Sequence, residues 1–283
     1  MSYGIDAGNN NPLVGMATAD NPNQLDVLFF TDCTQTQATS PLFLDGAEYY
    51  STVANGGAIG NNTAVALNAV GYTGSSGVVS LQTGVTNNAT GYGALYTTTN
   101  LVPGITTAST QAITKYEYEI GLRTLTVHTN AVRGAYRLGF QNSVINTAPT
   151  TGVYFEYLCN GTVTDTTWKV VILSPSGSTR VDTGVTVSNT STYRLYLSVE
   201  RDSTGTVYTT NYKIKNFTAG TSTEGTASPS SDTHYPSAAT NYMGSVTINT
   251  KAVTATTTSN VLYIDYLGTR IRRPIFREIL ISP

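Results

Sequence analysis

A chain of 283 residues with 40% hydrophobic content is long enough to bury a sizeable core and reads as one main domain. Only 11% of its residues are charged, less than half the usual share, and Thr, Ser, Asn, Gly and 19 Tyr stand where Lys and Glu stand in most cytosolic enzymes. The net charge of −2 gives no electrostatic footprint for nucleic acid, no run approaches the ~18 apolar residues of a membrane span, and the N-terminus shows no signal peptide, so the expected partners include neither nucleic acid nor a membrane.

Residues 1–39 lack periodicity except for a strand from Leu25 to Phe30, and Asn9-Asn10-Asn11-Pro12 and Asn21-Pro22-Asn23 interrupt them. They read either as a segment lying on the main domain or as an N-terminal arm reaching a neighbouring subunit. Residues 40–283 form the main domain, opening with a strand at Glu48 to Val53. Val78 to Leu81 and Gly91 to Thr97 fit short strands between long loops rich in Gly, Asn, Thr and Ser. Lys115 to Leu122 alternates Tyr116, Tyr118 and Ile120 against Glu117, Glu119 and Gly121. Leu125 to His128 and Arg133 to Phe140 are then expected to pair as a hairpin around Thr129-Asn130-Ala131.

From Thr151 to Lys215 the chain reads as a five-stranded meander. Gly152 to Leu158 ends at Asn160-Gly161, the dipeptide most tolerant of positive φ. Trp168 to Leu173 reverses at Ser174-Pro175-Ser176-Gly177, and Arg180 to Val187 reverses at Ser188-Asn189-Thr190-Ser191. In the next strand Tyr193, Leu195, Leu197 and Val199 share one face, with Arg194, Tyr196, Ser198 and Glu200 on the other. Thr206 to Lys215 closes the set. Asn216 to Ser237 reads as a surface loop, Met243 to Thr250 and Val261 to Leu267 as closing strands, and the end of the chain as an apolar strand carrying Arg270, Arg272, Arg273 and Arg277. No segment has helical periodicity. Many short strands with regular turn signals define an all-β, antiparallel two-sheet sandwich or jelly roll.

Tyr116-Glu117-Tyr118-Glu119-Ile120, Gly152-Val153-Tyr154-Phe155-Glu156-Tyr157, Trp168-Lys169-Val170-Val171, Asp182-Thr183-Gly184-Val185 and Tyr193-Arg194-Leu195-Tyr196-Leu197-Ser198-Val199 resemble, in that order, the concanavalin A-like lectin/glucanase jelly roll of tailed-bacteriophage virion proteins. The resemblance runs from about Pro41 to Pro283. It implies a non-enzymatic structural protein of a virion, as capsid decoration, tail or fibre component, made in the host cytoplasm, assembled as a homo-oligomer and docked on other virion proteins. The alternative on the same fold is a carbohydrate-binding adhesin attaching to a host-surface glycan, and a third reading is a polysaccharide hydrolase.

The hydrolase reading begins at Glu117 and Glu119, since glycosidases need two carboxylates flanking the scissile bond. The related glucanases carry E-x-D-x-x-E, whereas this chain has Glu at the central acid and Leu122 at the last, so the pair reads as a solvated strand face and no catalytic residue is expected. Lectins of the resembling fold hold Ca²⁺ through clustered Asp and Asn, but Asp165, Asp182, Asp202 and Asp232 are isolated, and His128 and His234 lie in no metal or triad pattern. Neither metal nor cofactor is expected. Cys33 and Cys159 fit two free thiols better than a disulfide. Sugar stacking would use exposed aromatic rings, and Tyr92, Tyr96 and Tyr242 are candidates beside the stronger Tyr154, Tyr196, Tyr208 and Tyr235. The arginines Arg270, Arg272, Arg273 and Arg277 are candidates for docking an acidic surface of a neighbouring subunit, or else for guarding a sheet edge.

Overall fold

Period-2 alternation places one side of each strand in the interior, and the chain stacks these apolar sides as two sheets. The computed structural model describes residues 24–31, 49–54, 58–61, 78–83, 92–97, 115–130, 132–143, 148–201, 208–229, 234–235, 243–252 and 260–274. The strands are β1 (Gln24–Thr31), β2 (Tyr49–Ala54), β3 (Ala58–Asn61), β4 (Val79–Gln82), β5 (Tyr92–Thr97), β6 (Lys115–Thr126), β7 (Val132–Gln141) and β8 (Gly152–Cys159). They continue as β9 (Thr167–Ser174), β10 (Gly177–Thr186), β11 (Thr192–Arg201), β12 (Tyr208–Asn216), β13 (Thr221–Ala227), β14 (Met243–Ala252) and β15 (Val261–Pro274). No α-helix occurs among the described residues.

One sheet has eight strands in the order β13-β12-β11-β6-β15-β4-β3, with β1 also pairing β15. The other has seven, in the order β10-β9-β8-β7-β14-β5-β2. Neighbours within both sheets run antiparallel. β15 organises the larger sheet: β6 runs along one side of it, while β4 and β1 share the other side end to end.

The core lies between the sheets. Tyr116, Tyr118, Ile120 and Leu122 of β6 and Tyr193, Leu195, Leu197 and Val199 of β11 face Tyr136, Leu138 and Phe140 of β7, Val153, Phe155 and Tyr157 of β8, and Trp168, Val170 and Ile172 of β9. Rings meet edge to face across the gap, with Tyr116 and Phe140 at 5.6 Å between centroids and Trp168 and Tyr193 at 5.9 Å. Trp168 has no exposed surface.

Several local expectations change. The turn after β6 is made as expected, because Thr129 and Val132 exchange both backbone hydrogen bonds and the Tyr136 hydroxyl donates to the Thr126 carbonyl. The strands it joins nevertheless part: β6 enters the larger sheet between β11 and β15, and β7 enters the smaller between β8 and β14. The turn is a corner of the sandwich. The expected five-stranded meander divides for the same reason, with β8, β9 and β10 in one sheet and β11 and β12 in the other. β1, which belongs to the segment expected as an arm, pairs with β15 from Gln24 to Thr31, so deleting residues 1–39 removes a sheet strand. The rest of that segment, and Cys33, lie outside the described residues, whereas Cys159 is a buried free thiol.

Nor is 216–237 simply a surface loop, since it contains β13, paired with β12. It also carries His234 and Tyr235. His234 Nδ1 lies 2.8 Å from Thr179 Oγ1 of β10, and a Cβ on Gly177 (φ +151) would come within 2.5 Å of His234 Nε2. The buried Tyr235 hydroxyl donates to the Tyr208 carbonyl at 3.1 Å and lies 3.0 Å from Thr210 Oγ1, both on β12. The pair bridges β10 of one sheet to β12 of the other.

His128 shows what interior placement does to a titratable ring. It is buried, lies tilted against the Tyr136 ring at 4.6 Å between centroids, and meets the Asn260 side chain through Nδ1. Burial pushes its pKa down to about 3, against the smaller upward pull of backbone hydrogen bonds. The unfolded chain takes up this proton near pH 6.5 and the folded chain does not until about pH 3, so stability falls as pH drops through that window. Urea unfolding from pH 7 to pH 4 should lose stability more steeply for the wild type than for His128→Phe, by at most about 1.4 kcal/mol per pH unit. Equal slopes would remove His128 from this account. In the same assay Trp168→Ala should cost about 3–5 kcal/mol, because no neighbour can fill the volume of an indole.

Candidate functional site

The outward face of the larger sheet is where polar side chains gather, and the register aligns them in rows. Tyr266, Gly121, Arg194, Lys215 and Ser222 stand opposite one another across β15, β6, β11, β12 and β13. The next row is Gly268, Glu119, Tyr196, Lys213 and Glu224, and the third is Arg270, Glu117, Ser198, Asn211 and Thr226.

Glu117 and Glu119 occupy the middle of this face but have no exposed surface, so the expectation of a solvated strand face is overturned. Neighbouring side chains close around them. Glu119 Oε1 accepts from Arg194 Nε at 2.5 Å and from the Tyr266 hydroxyl at 2.8 Å. Glu117 Oε1 accepts from the Tyr196 hydroxyl at 2.7 Å and lies 3.2 Å from Lys115 Nζ, while Arg270 Nε is 3.8 Å from its Oε2. Gly121 permits this, because a Cβ there would sit 2.4 Å from the Tyr266 ring. Burial, and after it the Glu117 carboxylate, hold the Tyr196 phenol far above its usual pKa, so it stays a donor.

Beside this seam, toward the edge of the sheet, lies an open cleft of about 810 Å³ over β11, β12 and β13. Its lining includes Arg194, Tyr196, Asn211, Lys213, Lys215 and Glu224. Thr226 Oγ1 donates to Asn211 Oδ1 at 2.9 Å, and the exposed Lys213 and Glu224 pair at 3.2 Å. Such a surface offers hydroxyl, amide and charged groups beside the Tyr196 ring, a combination suited to a polar ligand with an apolar face.

The expected site residues scatter. Of the four stronger tyrosines only Tyr196 lines the cleft. Tyr154 and Tyr235 are each 3% exposed, too buried to stack on a sugar, and Tyr208 is half-buried with its ring 5.0 Å from Tyr235. Tyr154 lies on the smaller sheet beside a chain of ion pairs running from Arg137 through Glu156 and Arg180 to Asp165. Burial, followed by the Glu156 carboxylate, raises its phenol pKa strongly. Arg270 is 2% exposed and turned to Glu117, so it is not a docking residue: its guanidinium serves the interior. Arg272 and Arg273 continue β15 opposite Lys115 of β6 and Leu25 of β1, and Arg277 lies outside the described residues.

No described residues fit the lectin cation. Asp165 is held by Arg180, Asp182 by Lys169 and Thr167, and no group of three or more His, Cys, Asp or Glu gathers among the described residues. Arg194, Asn211, Lys213, Lys215 and Glu224 were not singled out in the sequence, although its alternation does put Arg194 with Tyr196 and Asn211 with Lys213 on outward faces.

No protein-family model and no curated protein matches the chain. Solved structures do. Basic winged bean lectin with Tn-antigen aligns over 88% of this chain and 98% of its own, at 10% identity and a TM-score of 0.56. A protein of unknown function from Shewanella oneidensis MR-1 aligns over 87% of each chain at 12% identity and 0.55. Peanut lectin with a bound nonapeptide aligns over 88% and 98% at 11% identity and 0.51. The chain therefore has the concanavalin A-like sandwich fold of the legume lectins.

The buried seam makes a direct prediction. Glu119→Gln strips Arg194 of its counter-ion inside the sheet and should cost about 3–5 kcal/mol in chemical unfolding, the range for breaking one side of a buried ion pair. The double variant Glu119→Leu with Arg194→Met should recover much of that loss; a Glu119→Gln effect below about 1 kcal/mol would show the pair to be solvated.

Proposed function

We propose that the chain is a non-enzymatic carbohydrate-binding module that takes a glycan along the outward face of its larger sheet, in the cleft over β11, β12 and β13. The observation that carries this reading is the formed cleft itself, with the Tyr196 ring on one wall and Asn211, Ser222 and Thr226 supplying donors and acceptors. The lectin-like fold supports it coarsely, as a scaffold on which other chains hold sugars. Catalysis has little to stand on, because both candidate carboxylates are enclosed and bonded to Arg194, Arg270, Lys115 and two tyrosines, so neither can reach a glycosidic bond.

A place on a virion, assembly with its other proteins and homo-oligomerisation rest on the segment resemblance and the arginines, from which Arg270 is withdrawn by burial. Within that setting glycan capture would be attachment to a host surface, the adhesin reading. Binding of the purified chain to an array of bacterial and plant polysaccharides tests the proposal. Capture should occur for the wild type and fall at least about tenfold in Ser222→Trp, whose indole fills the cleft from an exposed edge position. Absence of capture, or capture indifferent to Ser222→Trp, would overturn it.

A further inference from the structure

Resting on the carbohydrate-binding reading, we infer that the ligand of the cleft is an acidic saccharide, held by an anionic group between Arg194 and Lys215. These two cations stand directly opposite each other on β11 and β12. Like charges opposed across a strand pair destabilise a sheet. Their row offers no relief, since it continues into Gly121 on one side and Ser222 on the other.

Charge on neighbouring rows sharpens the contrast. Lys213 is matched by Glu224 directly opposite at 3.2 Å, and Arg194 reaches diagonally to Glu119 through Nε. Lys215 has no carboxylate partner among the described residues; its Nζ sits 4.7 Å over the Phe217 ring, a contact that orients a cation without neutralising it. Arg194 Nη2 is buried with no hydrogen-bond partner, although Nε is fully engaged. The cleft thus takes three of the chain's 15 Lys and Arg and one acid, in a protein whose net charge is −2. A carboxylate, sulfate or phosphate on a sugar placed between Arg194 and Lys215 would offset their repulsion.

Affinity electrophoresis of the full chain through gels containing dextran, dextran sulfate or polygalacturonate, together with the neutral polysaccharides of the array, tests this. An acidic polymer should retard the protein at least about tenfold more strongly than its neutral counterpart. Lys215→Gln should abolish most of that difference, and Lys215→Arg should restore it. Lys169→Gln removes the same charge from the smaller sheet and should leave retardation unchanged. Retardation by dextran sulfate alone, or by polygalacturonate as well, separates a sulfate preference from a general anion requirement, and either supports the inference. Equal binding of neutral and acidic polymers, or equal effects of Lys215→Gln and Lys169→Gln, would overturn it and leave carbohydrate binding standing. No retardation by any polysaccharide would overturn both.

Discussion

Two carboxylates on the water-facing side of a central strand, with no water contact, constrain everything around them. A buried carboxylate needs cations and hydroxyls at close range, and Glu117 and Glu119 draw theirs from both flanking strands: Arg194 and Tyr196 from β11, Tyr266 and Arg270 from β15. β6 is therefore held on its inner side by aromatic and aliphatic packing and on its outer side by polar bonds. The same bonds enclose both acids and pull Arg194 and Tyr196 to the margin of the cleft, fixing one wall of it.

This use of charge accounts for a puzzle in the composition. With only 11% of residues charged, the surface would be expected to hold most of them, yet the smaller sheet repeats the pattern of the larger. Arg137, Glu156, Arg180 and Asp165 form a continuous set of contacts across β7, β8 and β10, and Glu156 and Asp165 are almost fully enclosed. Among the described residues, buried ionic contacts thus fasten each sheet, one set apiece. In the cleft, Tyr196, Asn211, Ser222 and Thr226 stand beside the remaining charges of Arg194, Lys213, Lys215 and Glu224.

Strand positions and strand faces were legible in the sequence because period-2 alternation is local. The inward sets of β6, β8, β11 and β12 are the ones alternation assigns. Sheet membership was not legible. Thr129 and Val132 close a turn with two backbone bonds, which in sequence looks the same whether the strands beyond it pair or part, and here they part. The burial of Glu117 and Glu119 was hidden for a related reason: their partners lie about 75 to 150 residues further along the chain, and Gly121 clears space for a ring that arrives from β15. Tyr154 and Tyr235 failed as stacking rings because alternation marks a side of a strand and does not report what covers that side. The cleft needed three strands in register before its residues became neighbours.

His234 and Tyr235 make a contact between the sheets at the end where the edge strands β10 and β13 approach each other. Thr179 and the Gly177 turn receive one side chain and β12 the other, close to where β13 forms the outer rim of the cleft. An open sandwich edge can splay, and a groove near it would then change width with every fluctuation. Here the rim is latched from behind. Under the proposed function, a saccharide arriving at that wall would meet a surface already set in shape, and the conformational freedom lost on association would be mainly its own.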